Sequence, residues 1–173
     1  GSYGYSQNAD MKWSMPAPPT VVDADGDGYA DFIYAADMHG QVFRVDLDNF
    51  NNTGASGLVK DVVTLAKLGA GTTTNAADNR RFFAAPAVAL SKRGDNTLLQ
   101  VVIGSGYRAH PLAETTQEFV YGLDDVEALP TLQAIKNKQT VPGTTTLTSS
   151  DLADVTDPTA TVTIDDVDTF GWK

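Results

Sequence analysis

The run Asp23-Ala24-Asp25-Gly26-Asp27-Gly28-Tyr29-Ala30-Asp31 is the strongest chemical signal in the chain. It places carboxylates at positions 1, 3, 5 and 9 of a calcium-loop pattern, glycine at the bend of position 6, and at position 7 a residue, Tyr29, whose backbone carbonyl can serve as a ligand. Alternate spacing lets a curling backbone turn three acidic side chains toward one centre. Two carboxylates ~5 Å apart repel by roughly 3 kcal/mol at an effective dielectric of about 20, so a cation at that centre would relieve several such pairs at once. Hard oxygen donors with no neighbouring histidine or cysteine select calcium over zinc or copper, and magnesium would require a tighter octahedron. The candidate metal ligands are therefore Asp23, Asp25, Asp27 and Asp31 with the Tyr29 carbonyl, and the expected ion is Ca²⁺. Position 12 is Tyr34 where an EF-hand has its bidentate Glu, and strand-forming residues follow, so the pattern is the β-type version of the loop. Water, another carboxylate or a distant residue must replace the missing ligand, with Asp37 as a candidate. Because the loop joins two expected strands, its ion should be structural.

Other reactive types are sparse. Arg93-Gly94-Asp95 is the tripeptide that integrins recognise and falls at an expected hairpin tip, where Gly-Asp is also ordinary turn chemistry. Ser105, His110 and an aspartate could form a triad on paper, but a chain with this many aspartates offers that match too freely for it to carry weight. Gly104-Ser105-Gly106 lacks the glycine spacing of a nucleophile elbow and reads as a tight backbone path beside Tyr107 and Arg108. Arg108 reads as an ion-pair partner for an aspartate, and Trp13 and Phe82-Phe83 as core residues or residues lining a blade interface. Asn51-Asn52-Thr53 fits a glycosylation sequon but would be a plain polar loop in a bacterial chain, and Asp165, Asp166 and Asp168 read as a solvated turn in preference to a second cation site. No catalytic residue and no enzymatic activity are expected. Two other readings remain open: an extracellular adhesion module acting on host receptors through Arg93-Gly94-Asp95, and a secreted propeller hydrolase, for which the sequence offers no converging set of carboxylates or histidines.

The elements that must position these residues are strands. With 173 residues and 42% hydrophobic content the chain can bury one domain-sized core. Acidic residues number 22 against 12 basic, a net charge of −10, which disfavours nucleic acid and anionic lipid as partners. The acids divide into 19 Asp and 3 Glu, a bias toward turns and loops over helices. There is no cysteine to form a disulfide or zinc ribbon. No apolar run nears the ~20 residues of a membrane span, and no charged-then-apolar leader opens the chain. Strands are predicted at Thr20–Val22, Tyr29–Asp37, Gln41–Asp48, Lys60–Ala66, Phe83–Leu90, Leu98–Gly104, Glu118–Asp124 and Thr161–Ile164. Alternation is clearest in 41–47, with Phe43, Val45 and Leu47 on one face and Val42, Arg44 and Asp46 on the other. Met38-His39-Gly40 and Lys92–Asn96 read as hairpin turns. Pro130 interrupts the one helix-friendly stretch, 124–137, so at most a short helical turn is expected there. The predicted fold class is all-β: antiparallel blades of a β-propeller, about two blades with long loops. The expected layout is an irregular lead-in at 1–19, blades with the calcium loop at 20–125, and a loop-rich tail with one late strand at 126–173.

Several stretches in register resemble the C-terminal propeller of the PilY/PilC family, the tip-associated proteins of bacterial type IV pili. They are Pro19–Val22 with the Asp loop, Phe32–Gly40, Val42–Leu47, Asn79–Pro86, Ile103–Leu112 and Phe119–Asp125, with Asp151–Thr156 and Gly171-Trp172 fitting more loosely. The resemblance covers roughly residues 15–125. It implies an exported, calcium-binding β-propeller at the pilus tip, outer membrane or surface of a Gram-negative bacterium. Such a protein supports pilus assembly, balances extension against retraction and contributes to adhesion. Minor pilins and host-cell receptors are the partners the resemblance implies, and the family's regulatory calcium ligands carry over onto Asp23, Asp25, Asp27 and Asp31. The family propeller is much longer than this chain, so a slice of a ring is expected.

Overall fold

The computed structural model describes residues 8–51, 57–69, 75–157, 159 and 170–173. The predicted strand Thr161–Ile164, the acidic set Asp165, Asp166 and Asp168, and Asn52 and Thr53 lie outside the described residues. The fold is mostly β, two antiparallel-rich sheets with one α-helix. The first sheet is a meander of β1 (Thr20–Val22), β2 (Phe32–Ala36), β3 (Gln41–Leu47) and β4 (Val59–Lys67). Two residues of β8 (Leu147–Thr148) join its far edge in parallel, pairing Ala66 with Leu147. The second sheet runs β5 (Ala87–Arg93), β6 (Asn96–Gly104), β7 (Val120–Asp125) and β9 (Gly171–Trp172), all antiparallel. Among the described residues no helix is long and apolar enough to cross a membrane.

Both predicted hairpins form. Gly40 closes β2–β3 with φ +74°, and its carbonyl accepts from the Leu68 N–H at 2.8 Å. Gly94-Asp95 closes β5–β6 with Arg93 opposite Asn96. Positive φ at Gly94 alone is the signature of a type II′ turn, whose twist suits a two-residue hairpin. Asp37, proposed as a spare calcium ligand, belongs to the Gly40 turn. Its carboxylate is buried and accepts from the His39 and Gln41 N–H groups, both at 2.9 Å, and from Gln41 Nε2 at 2.8 Å. It stands at the end of β2 opposite the Asp loop, so the calcium assignment for Asp37 is not met.

The core lies between the two sheets and the helix. Phe32, Tyr34 and Val42 of the first sheet meet Leu99, Val101, Tyr121 and Leu123 of the second. Phe82 joins them from the connection, as expected for a core residue. Trp13 does not: it is 52% exposed and stacks on His39 with ring centroids 4.6 Å apart. Alternation holds on β2, where Phe32, Tyr34 and Ala36 are buried and their neighbours half-buried. On β3 it fails, because both faces are covered, and Arg44 and Asp46 are fully enclosed.

The tail carries more regular structure than its sequence suggests. A full helix, α1 (Ala128–Lys136), replaces the expected short turn. Pro130 sits in its first turn, where backbone N–H groups have no intrahelical acceptor, so the ring costs the helix no hydrogen bond. Ala128, Thr131, Leu132 and Ile135 form the buried stripe at i, i+3, i+4, i+7. The helix ends in a Schellman turn: Lys138 takes φ +54°, its N–H reaches the Ile135 carbonyl at 3.1 Å, and the Gln139 N–H reaches Ala134 at 2.8 Å. At the chain's end Trp172 pairs with β7, and its indole lies across Gly122, leaving no room there for a Cβ.

Candidate metal centre

The loop between β1 and β2 is closed at its base by the Asp31 N–H, which donates to the Val22 carbonyl at 2.8 Å, next to the paired residues Val22 and Phe32. Above that closure the chain must reverse within a few residues, and Gly26 and Gly28 do so at φ +77° and +91°. That curl gathers Asp23, Asp25 and Asp27: one carboxylate oxygen of each lies within 4.8 Å of the others, and all three residues are exposed. Oxygens on a coordination sphere of ~2.3–2.6 Å radius are at most about 5 Å apart, so this spacing is compatible with calcium. The donor set is all oxygen and anionic, which suits a hard divalent cation.

The carboxylates also organise the backbone. Asp23 accepts from the Gly26 N–H at 2.7 Å, the Asp27 N–H at 3.2 Å and the Gly28 N–H at 2.8 Å. Asp25 accepts from Asp27 N–H at 3.1 Å and Asp27 from Tyr29 N–H at 2.8 Å. Tyr29 itself is an exposed ring at the loop's rim.

Asp31 stands outside the converging group. It is buried at the loop's base, where Oδ2 accepts from the Ala24 N–H at 2.7 Å and Oδ1 from Asn49 Nδ2 at 3.4 Å. Burial raises its pKa, against the pull of those hydrogen bonds, and the charges of Asp27 and Asp23 add to the rise. Thus the first three aspartates of the pattern point to one centre while the fourth supports the loop from beneath.

Sequence reasoning missed one participant. Lys136, in the last turn of α1, places its ammonium against Asp25 Oδ2, and the same nitrogen lies 4.5 Å from the Phe50 ring centroid. Its basic charge was visible; its approach from 111 positions away was not.

The remaining candidates separate. Arg93 folds back from the hairpin tip and pairs with the nearly buried Asp124 at 2.6 Å, so Arg93-Gly94-Asp95 does not present both charges outward. Ser105 Oγ accepts from the Phe119 N–H at 3.0 Å and donates to its carbonyl at 3.3 Å, a strand-end clasp, and among the described residues it makes no hydrogen bond to His110. A Cβ would find ordinary room at Gly104 and open space at Gly106, so the tight path expected there is not required. Arg108 has no ion-pair partner among the described residues, contrary to expectation.

No protein-family description and no curated protein matches the chain. Among solved structures it is similar to the crystal structure of the Pseudomonas aeruginosa PilY1 C-terminal domain. The TM-score is 0.51 and the identity 22%, over 79% of this chain and 29% of that one. The likeness is one of fold, and the chain spans under a third of that structure's length.

Proposed function

We propose that the chain is part of a calcium-binding, non-enzymatic β-propeller module of an exported type IV pilus biogenesis and adhesion protein. In this reading calcium orders the β1–β2 loop and so sets how the module meets its pilus partners, with minor pilins as candidates. The observation that carries it is the convergence of Asp23, Asp25 and Asp27 within 4.8 Å at a strand connection. The two sheets are read as two adjacent blades, β1 to β4 and β5-β6-β7-β9, each of four antiparallel strands. The fold likeness to the PilY1 domain supports this reading. Asp23, Asp25 and Asp27 would hold the ion together with the Tyr29 carbonyl and water, and Asp31 would fix the loop from below. The ion would supply the positive charge that lets three carboxylates share one centre. Recognition of host receptors through Arg93-Gly94-Asp95 is the weaker reading, because Arg93 is engaged by Asp124.

The test is a calorimetric and thermal-shift titration of calcium against the chain and an Asp25→Asn/Asp27→Asn variant. Asparagine keeps an oxygen that can accept the Asp27 and Tyr29 N–H groups, so the loop's internal turns survive while its charge falls. Calcium at about a hundred times its Kd should stabilise the parent by about 2.7 kcal/mol and the variant far less. Equal stabilisation of the two proteins would refute the metal reading.

A further inference from the structure

A second site stands where the 79–83 segment crosses the β6–β7 connection, and it is independent of the metal loop. Two neighbouring cavities of about 500 and 440 Å³ share a wall made by Tyr107, His110, Pro111 and Ala113. The wall is held by backbone hydrogen bonds: the Gly106 N–H donates to the Arg81 carbonyl at 2.9 Å, and the His110 N–H to the Tyr107 carbonyl at 2.9 Å. Arg81 lines the first cavity, with its guanidinium 4.1 Å above the Tyr107 ring, and Arg108 lines the second. Phe83 stacks toward the Tyr107 ring at 6.5 Å, and His110 lies against it at 5.0 Å.

The charge distribution is the decisive feature. The chain has five arginines and 22 acidic residues, and three of the arginines, Arg44, Arg80 and Arg93, are paired with carboxylates. Arg81 and Arg108 have no carboxylate partner among the described residues, and both face this cleft. Among the described residues Glu118 is the only acid in the combined lining. In a molecule of charge −10, internal acids are the abundant partners for a guanidinium, and these two arginines have none among the described residues. The rim is apolar: Leu112 is 92% exposed beside Pro111 and Ala113.

We infer that this cleft is a docking site for an acidic, apolar-flanked peptide segment of a protein partner, with Arg81 and Arg108 receiving its carboxylates and the Tyr107, Pro111 and Leu112 surface receiving its apolar side chains. The exposed Leu112 beside Pro111 and Ala113 favours a peptide, whose apolar side chains it can cover, over an acidic polysaccharide, which has none.

The test titrates the full chain against a short fluorescent peptide of alternating Glu and Leu, and against its Gln/Leu counterpart, by anisotropy. Arg108→Gln changes an exposed side chain, Arg81→Gln changes the one stacked on Tyr107, and Lys92→Gln, on β5, is the charge control. The Glu peptide should bind at least about tenfold more tightly than the Gln peptide, and either arginine variant should lose about that factor. Lys92→Gln should bind as the parent does. If Arg81→Gln fails to fold, Arg108→Gln decides alone. Equal affinity for the two peptides, undiminished binding by Arg108→Gln, or an equal loss in Lys92→Gln would overturn the proposal. So would tighter binding of an oligoglucuronate than of the Glu peptide.

Discussion

Asp31 shows how one carboxylate can belong to a metal pattern and yet do different work from its neighbours. Its side chain is fully buried and bonded to the Ala24 N–H and Asn49, while Asp23, Asp25 and Asp27 converge in solvent. Burial raises its pKa above the ordinary 3.8, so the folded state holds the proton more tightly than the unfolded one. The contribution of the protonated group to stability is therefore fully present below pH 3.8 and is lost as pH rises through the raised folded value. Asp31→Asn removes that titration. In chelator, the melting temperature of the parent should fall relative to Asp31→Asn as pH is raised above 3.8, and the gap should level off beyond the folded pKa. A constant gap across that range would mean that Asp31 ionises as freely in the fold as outside it. Spacing in the sequence was enough to bring Asp23, Asp25 and Asp27 together, because a glycine-bent backbone dictates it locally. The inward turn of Asp31 was not legible, since it depends on Asn49, which the hairpin partner strand delivers.

Among the elements, α1 is the one that changes the site. Pro130 reads in sequence as a helix breaker; at the third position of a helix it removes no bond, and the stripe from Ala128 to Ile135 then packs on the core. The distinction rests on where the helix begins, which tertiary packing decides. The β2–β3 and β5–β6 hairpins were legible because Gly40 and Gly94 need only local backbone freedom. The Schellman turn at Lys138 fixes the helix end, and from there Lys136 meets Asp25. This makes the ammonium an internal competitor of any cation at the loop. The Lys136 and Asp25 side chains are 31% and 21% exposed, so solvent screens the pair and a free energy of about 0.2–1 kcal/mol is appropriate. Lys136→Met keeps the stem against Phe50 and removes the charge. Calorimetric calcium affinity should then rise, by up to about fivefold. An affinity that falls or stays the same would show that the ammonium does not oppose the metal.

At the scale of the molecule, the two sheets are joined by apolar packing and by one buried ionic network. Arg44 of β3 donates through Nε to Asp46 at 2.6 Å and through Nη1 to Asp125 of β7 at 2.6 Å, and all three side chains are fully enclosed. Tyr34 of β2 donates its hydroxyl to the other Asp125 oxygen at 2.8 Å, and Thr144 accepts from Arg44 Nη2 at 3.2 Å. Burial opposes the charge on Arg44, yet Asp125 and Asp46 outweigh it and hold its pKa above the ordinary arginine value. Burial and the neighbouring Asp125 keep the Tyr34 phenol protonated, so it remains a donor. None of this was visible in the alternation of β3, which places Arg44 and Asp46 on one face with Val42 and says nothing of what covers it, because the second sheet reaches that face from a distant part of the sequence. A buried pair of this kind adds modest stability compared with an apolar substitute, but losing one partner leaves the rest buried without compensation. Arg44→Met would strand two carboxylates and should cost about 3–5 kcal/mol in urea unfolding, against about 1 kcal/mol for Tyr34→Phe. Arg44→Met/Asp46→Leu/Asp125→Leu removes every charge of the network and should recover most of the loss, since the packing between sheets then carries no unpaired ion. If Arg44→Met alone were as stable as the parent, the two sheets would be held by apolar contact without help from the network, and the enclosed guanidinium would have no role in joining them.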